Sequence, residues 1–354
     1  MSLAQFIREM IENPSIAVAA LFTLGVILVN GWTDAPNAIA TCVSTRSMKP
    51  RSAIIMAGIL NFLGVLVSSM LNHKVADTIS NMVNFGDDAS EASIALCAGL
   101  VAIVVWATAA SKFGIPTSES HALIAGLSGA AIAMHNSFSG ISMEEWGKVL
   151  IGLVVSSVMG FFSGFGMVRL IEFIFRRSNR VKVQGFFRGA QVGGGAAMAF
   201  MHGWQDGQKF MSVFLIGMLY AKGETALPEE YTIPLWLIVL CSVVMAGGTS
   251  IGGYSIIKSV GMDMARLQPY QGFAADLAGA ACLLFSSLSG VPVSTTHTKT
   301  TAIMGVGASK RISAVNWAVV RDMVAAWVLT FPGCGLLAFG MVKLFMLVSQ
   351  SFFG

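Results

Sequence analysis

Apolar positions in this chain do not alternate with polar ones; they run on. The stretch SIAVAALFTLGVILV is one of ten apolar segments separated by short polar turns, at approximately 14–31, 52–71, 92–110, 117–135, 148–174, 189–221, 233–255, 270–288, 293–307 and 315–347. A helix needs about 20 apolar residues to cross a hydrocarbon core, and most of these segments are that long. A membrane barrel would instead show segments of about 10 residues alternating apolar and polar. The pattern therefore predicts an all-α polytopic membrane protein. Two segments, 189–221 and 315–347, exceed one crossing.

Composition agrees: 55% of residues are hydrophobic and 11% charged, against about 25% charged in ordinary soluble domains. The charges sort themselves by loop. One set of turns carries Arg46, Lys49, Arg51, Lys112, Arg176, Arg177, Arg180, Lys182, Arg188, Lys258, Arg266, Lys310 and Arg311. The alternate set carries Asp77, Asp87, Asp88, Glu91, Glu144, Glu145, Glu224, Glu229 and Glu230. By the positive-inside rule the basic set is cytoplasmic, which puts the N-terminus outside a cell membrane (plasma or inner). The net charge of +4 thus orients the chain and does not point to nucleic acid. The opening SLAQFIREMIEN lacks a cleavage pattern and reads as a short interfacial helix, not a signal peptide. Five scattered cysteines have no disulfide or zinc spacing and read as packing residues.

Polar residues inside the apolar runs repeat. GWTDAPNA begins at Gly31 and GWQDGQKF at Gly203; GIPTSESHALIAG begins at Gly114 and GVPVSTTHTKTTAIMG at Gly290. Two matched pairs, in the same order and at nearly the same offset, divide the chain into a first repeat (1–175), a basic cytoplasmic linker (176–188) and a second repeat (189–354). Five spans per repeat force the copies into opposite orientations. Inverted repeats with interrupted helices are the pattern of a secondary transporter with a midplane site, here with about 10–12 transmembrane helices.

The second motif pair predicts helix starts just after Pro116 and Pro292, with Thr117 or Ser118 and Ser294 near the caps. First-turn N–H groups and the hydroxyls of Thr117, Ser118, Ser120, Ser294, Thr295 and Thr296 then converge on an anion. Hydroxyls in membrane helices also bond back to their own backbone, which is the plain alternative. Asp34 and Asp206 are read as capping helices that restart at Ala35 and Gly207. Carboxylates at this depth cost about 2.5–3.5 kcal/mol each on insertion scales, so both are functional candidates. Holding Na⁺ or carrying H⁺ reconciles them with a neighbouring anion. Asn37 and Lys209 occupy equivalent positions; Lys209 either meets the anion or pairs with Asp206. His121 and His297 either orient the hydroxyl turns or touch substrate. Arg321 and Asp322 read as a structural pair. Asp276, in GFAADLAGA, has no counterpart in the first repeat and no assigned role.

Through GWTDAPNAIATCVSTR, HGWQDGQKF, GIPTSESH and GVPVSTTH, with ILNFLGVL after the first motif, the chain resembles the inorganic phosphate transporter (PiT) family across both halves. Asp34, Asn37, Ala38, Ala40, Thr41, Thr45 and Arg46 fit the first family motif, and His202, Gly203, Asp206, Gln208 and Lys209 the second. The resemblance implies symport of inorganic phosphate with Na⁺ or H⁺, an inverted-repeat fold and a homodimer. Thr33 and Gln205 stand where the family usually has Asn, each keeping an oxygen acceptor. Glu119 stands where Ser or Thr is common, opposite Thr295. These assign phosphate to Thr117, Ser118, Ser120, Ser294, Thr295, Thr296, Asn37 and Lys209, and the coupling cation to Asp34, Asp206, Thr33, Gln205 and Glu119, with Asp34 and Asp206 the metal ligands if the ion is Na⁺. No catalytic residues, and no cofactor besides the coupling ion, are expected. A carrier of another tetrahedral oxyanion such as sulfate is the nearest rival. An ion channel is the next, and an enzyme is disfavoured because no nucleophile, base and orienting partner stand together.

Overall fold

The computed structural model describes residues 2–71, 74–112, 117–225 and 233–353. Among these the chain is almost wholly helical, with only two isolated bridges, Val83 with Ile141 and Ala265 with Val315, in place of strands. A short helix α1 (Leu3–Glu12), closed by a Ser2–Gln5 capping box, precedes the first repeat. That repeat comprises α2 (Pro14–Thr33), α3 (Pro36–Ser44), α4 (Pro50–Leu71), α5 (Lys74–Asn81), α6 (Ala89–Lys112), α7 (Glu119–His135) and α8 (Met143–Ile174). The second comprises α9 (Arg180–Ala221), α10 (Leu235–Gly252), α11 (Tyr254–Lys258), α12 (Pro269–Leu288), α13 (Thr295–Lys310) and α14 (Trp317–Phe353). The ten apolar segments correspond to α2, α4, α6 to α10 and α12 to α14. Among the described residues, six helices are long and apolar enough to cross a membrane, or seven if the bent pair Leu235–Ile251 and Ile256–Asp263 is one span. The rest fall short for local reasons: α7 and α13 have 17 and 16 residues, and the apolar course of α9 is interrupted by polar residues, among them His202, Gln205, Asp206, Gln208 and Lys209.

The two repeats exchange packing partners. α7 lies on α14 and α13 on α8; α2 lies on α10 and α9 on α4; α6 meets α14 as α12 meets α8. Such reciprocity is what a two-fold rotation between the copies produces, and two contacts lie on its axis. Ser118 bonds Ser294, its own equivalent, at 2.7 Å, and the rings of His121 and His297 meet edge to face at 4.3 Å. Each copy contributes five principal helices, an odd number, so the copies are inverted. Buried and exposed surfaces are reversed from a soluble protein: Leu150, Ile151, Val154 and Phe162 of α8 are exposed, while the interior holds Asn30, Asp34, Lys209, Asp276 and Lys299.

Within the basic stretch 176–188, Asn179 caps a helix start by accepting from Val181 N and Lys182 N, and α9 runs on from Arg180. One local expectation changes: the chain does not break at Gly207. α9 continues unbroken through Asp206, and the glycines around it serve close packing: a Cβ on Gly203 would run into the Asn61 backbone, and one on Gly207 into Val65. Gly31 is pressed in the same way against the Met245 backbone, and Gly64 and Gly248 complete the two crossings.

Candidate functional site

The break in the first repeat does occur, at Asp34 and Ala35, between α2 and α3. Asp34 ends α2, its N–H bonded to Asn30 O, and Pro36 opens α3, where a missing donor costs nothing. Ala35, not Asp34, holds the cap position of α3, and no side chain caps that helix. The Asp34 carboxylate is thereby free to point across the repeat boundary. Its Oδ1 accepts from Asn37 Nδ2 at 3.0 Å and from Thr296 Oγ1, and Asn37 also donates to Thr296 at 2.9 Å. Asp206 takes the reciprocal role. Its Oδ1 is paired with Lys209 Nζ at 2.8 Å; its Oδ2 faces Asn30 Nδ2 at 3.3 Å, Thr295 Oγ1 at 3.4 Å and His202 Nε2 at 3.2 Å.

The helix starts behave as the hydroxyl runs imply. Ser118 caps α7 by accepting from His121 N at 3.4 Å, and Ser294 caps α13 by accepting from His297 N at 3.1 Å. Gly290, at φ 73°, makes the left-handed turn before Pro292 that brings α13 in; its counterpart Gly114 to Pro116 lies outside the described residues. The amides of Glu119, Ser120, Thr295 and Thr296 fall in first turns, where helices offer no acceptor. Two positive helix ends thus abut, an arrangement that favours an anion between them. Ser294→Ala should cost about 1 kcal/mol, seen as a lower melting temperature in detergent, with Ser294→Thr recovering most of it. An unchanged melting temperature would remove the cap from this account.

Lys209, Ser120 and Glu119 complete the cluster. Lys209 Nζ is shared among Asp206, Ser120 Oγ at 2.7 Å and Val293 O at 2.7 Å, so the pairing alternative for this lysine is realised. Glu119 Oε1 accepts from Thr33 Oγ1 at 2.7 Å, and among the described residues no lysine or arginine pairs with it. Thr117 is buried at the same turn. Gln205 is drawn elsewhere: its amide bonds Ser287 Oγ at 2.7 Å and Val291 O at 3.0 Å, not Asp206. His121 and His297 stack on Phe331 and Trp327 behind the caps. Arg321 and Asp322 do pair, at 3.3 Å, but on an exposed face away from the site.

Sequence reasoning passed over Asn30 and gave His202 a place in the second motif but no role. They are equivalent, each one helical turn before the aspartate of its repeat, and both address Asp206 Oδ2. A polar residue four positions upstream of each aspartate was the available signal. One ligand atom each from Asp34, His202 and Asp206 lie within 4.8 Å of one another. Four buried oxygen acceptors, Asn30 Oδ1, Asp34 Oδ2, Asn37 Oδ1 and Glu119 Oε2, have no donor. Hard oxygens without donors suit an alkali cation, and the helix ends beside them suit an oxyanion.

Residues 30–338 match the phosphate transporter family. The chain is 37% identical over 304 residues to the probable low-affinity inorganic phosphate transporter of Bacillus subtilis, covering 86% of this chain and 89% of that protein. It is 36% identical over 323 residues to the protein of the same description from Rhizobium meliloti, covering 91% and 93%. In fold it is similar to a solved structure described as the sodium-dependent phosphate transporter, with a TM-score of 0.85 at 21% identity over 95% of this chain and 100% of that one. With the repeat motifs built into one buried cluster across the two-fold, the chain is a multi-pass membrane protein that belongs to the phosphate transporter family.

Proposed function

We propose that the protein imports inorganic phosphate by symport with Na⁺ or H⁺, alternating access about the cluster between α2–α3, α7, α9 and α13. The observation that carries this reading is the set of donorless buried oxygens beside two opposed helix starts. Asp34 and Asp206 bring carboxylate oxygens within 4.8 Å of each other, a separation at which two unit charges repel by at least about 3.5 kcal/mol at an effective dielectric constant of about 20. A cation between them turns that repulsion into two attractions. Three buried carboxylates, Asp34, Asp206 and Glu119, gather at the site while Lys209 pairs with Asp206 alone among them, so a phosphate dianion gains access only with cations that offset the excess negative charge. Coupling then follows from electrostatics: anion without cation, or cation without anion, leaves the site poorly matched.

The spare oxygen of Glu119 favours phosphate over sulfate. A carboxylate acceptor at an anion site bonds the hydroxyl of HPO₄²⁻, which sulfate lacks, and an unmatched buried acceptor discriminates strongly. The test is radiolabelled phosphate uptake into proteoliposomes with Na⁺ and pH gradients imposed separately, and sulfate and arsenate as competitors. Uphill accumulation driven by one of the two gradients, inhibited by arsenate and not by sulfate, is expected. Uptake indifferent to both gradients would overturn the coupling.

A further inference from the structure

One turn beyond the candidate site, on the same two helices, lies a second buried polar cluster. Thr41 follows Asn37 by four residues on α3, and Lys299 follows Thr295 by four on α13, so helical spacing stacks the second set beside the first. Lys299 Nζ is in contact with Asp276 Oδ1 of α12 and donates to Thr41 Oγ1 at 3.1 Å. Thr41 Oγ1 lies 2.8 Å from each Asp276 oxygen, and Gln191 Nε2 of α9 donates to Asp276 Oδ2 at 2.7 Å. All four side chains are fully buried. The cluster lies toward the basic turns that follow α3 and α13, at Arg46 to Arg51 and at Lys310 and Arg311.

The two-fold shows that the fold does not need it. At the repeat offsets, the counterparts of Thr41, Gln191, Asp276 and Lys299 are Val213, Ala19, Leu100 and Leu123. All four are buried, and Leu100, Leu123 and Val213 belong to one apolar core. The same architecture is therefore sealed by aliphatic side chains at one end and by an ion pair at the other. Apolar replacement of a buried ion pair is often neutral or stabilising, so packing does not account for the difference.

What converges on Asp276 is an oxyanion receptor: an ammonium, a hydroxyl and an amide N–H₂ around two carboxylate oxygens. Gln191 Oε1, buried and without a donor, adds an acceptor that the carboxylate cannot use but a phosphate hydroxyl can. Asp276 stands against the bare backbone of the glycine run in α9, where a Cβ on Gly194 would meet its own Cβ at 3.1 Å. We propose that Lys299, Thr41 and Gln191 form a second oxyanion station on the basic-loop side of the site, occupied at rest by Asp276, which yields Lys299 to phosphate in transit. This rests on the reading of the protein as a phosphate transporter.

The test pairs equilibrium binding of radiolabelled inorganic phosphate to the purified protein with uptake and counterflow in proteoliposomes. Asp276→Asn, which removes the resident competitor, is expected to bind phosphate about tenfold tighter or to add a second equivalent. Lys299→Gln is expected to keep binding at the first site while losing at least about tenfold in counterflow. The double variant Asp276→Leu with Lys299→Leu, which copies the first repeat and restores neutrality, is expected to fold and bind phosphate but not to transport it. Wild-type uptake by the double variant, or unchanged binding by Asp276→Asn together with unchanged counterflow by Lys299→Gln, overturns the station. If the wild type takes up phosphate alongside such results, only the station fails; if the wild type takes up none, the transport reading fails with it.

Discussion

Asp34→Asn and Asp206→Asn are both expected to abolish phosphate accumulation in proteoliposomes, while only the second lowers the melting temperature. Asp34 Oδ1 already accepts from Asn37 and Thr296, and an asparagine oxygen can keep those bonds; Oδ2 has no donor to lose. Removing its charge also relieves the repulsion with Asp206, so the empty protein should be no less stable. Asp206→Asn strands the Lys209 ammonium, whose other partners are a hydroxyl and a carbonyl. Breaking one side of a buried pair costs about 3–5 kcal/mol. On the proposed coupling, transport is lost in both cases because the cation is lost. Accumulation that survives both substitutions would take the aspartates out of coupling.

Gly203→Ala is the second large effect. The new methyl would fall on the Asn61 backbone, where no rotamer can yield, so α9 and α4 must separate. Overpacking of this kind costs about 1–3 kcal/mol. The displacement is delivered three residues before Asp206 and one after His202, whose Nδ1 is bonded to Asn61 at 3.2 Å. A drop of several degrees in melting temperature, and at least about a tenfold loss of uptake, are expected. Gly185→Ala, on an open face of the same helix, should be neutral or slightly stabilising and serves as the control. Equal behaviour of the two variants would show that the close crossing carries no strain.

Much of this was legible from the chain because membrane folding writes in coarse letters. Apolar length located the ten principal segments, and hydroxyl runs after Gly-x-Pro located Ser118 and Ser294 as caps. Repetition did the rest for Asp34 and Asp206, since a position that recurs in both copies is unlike random polarity. The failures share a cause. A helix restart is expected at Gly207, where the glycine instead serves interhelical contact inside an unbroken helix, and contact partners such as Val65 are far away in sequence. Gln205 was placed at the cation by motif position, yet Ser287 on α12 claims its amide. Lys299 drew no attention because its partner, Asp276, is brought to it only by the packing of α12 on α13.

The unbroken course of α9 has a mechanical corollary. Its 42 residues measure about 63 Å along the axis, roughly twice the hydrocarbon thickness, and Asp206 and Lys209 ride on it with no joint between them and either end. Whatever rocks those side chains by a small angle is magnified at Arg180, so about 10° of tilt sweeps that tip through about 5 Å for every 30 Å of shaft. A pair of spin labels near the tip and on α8 would register each turnover as a distance change, giving this protein a built-in pointer that its interrupted counterpart in the first repeat does not have.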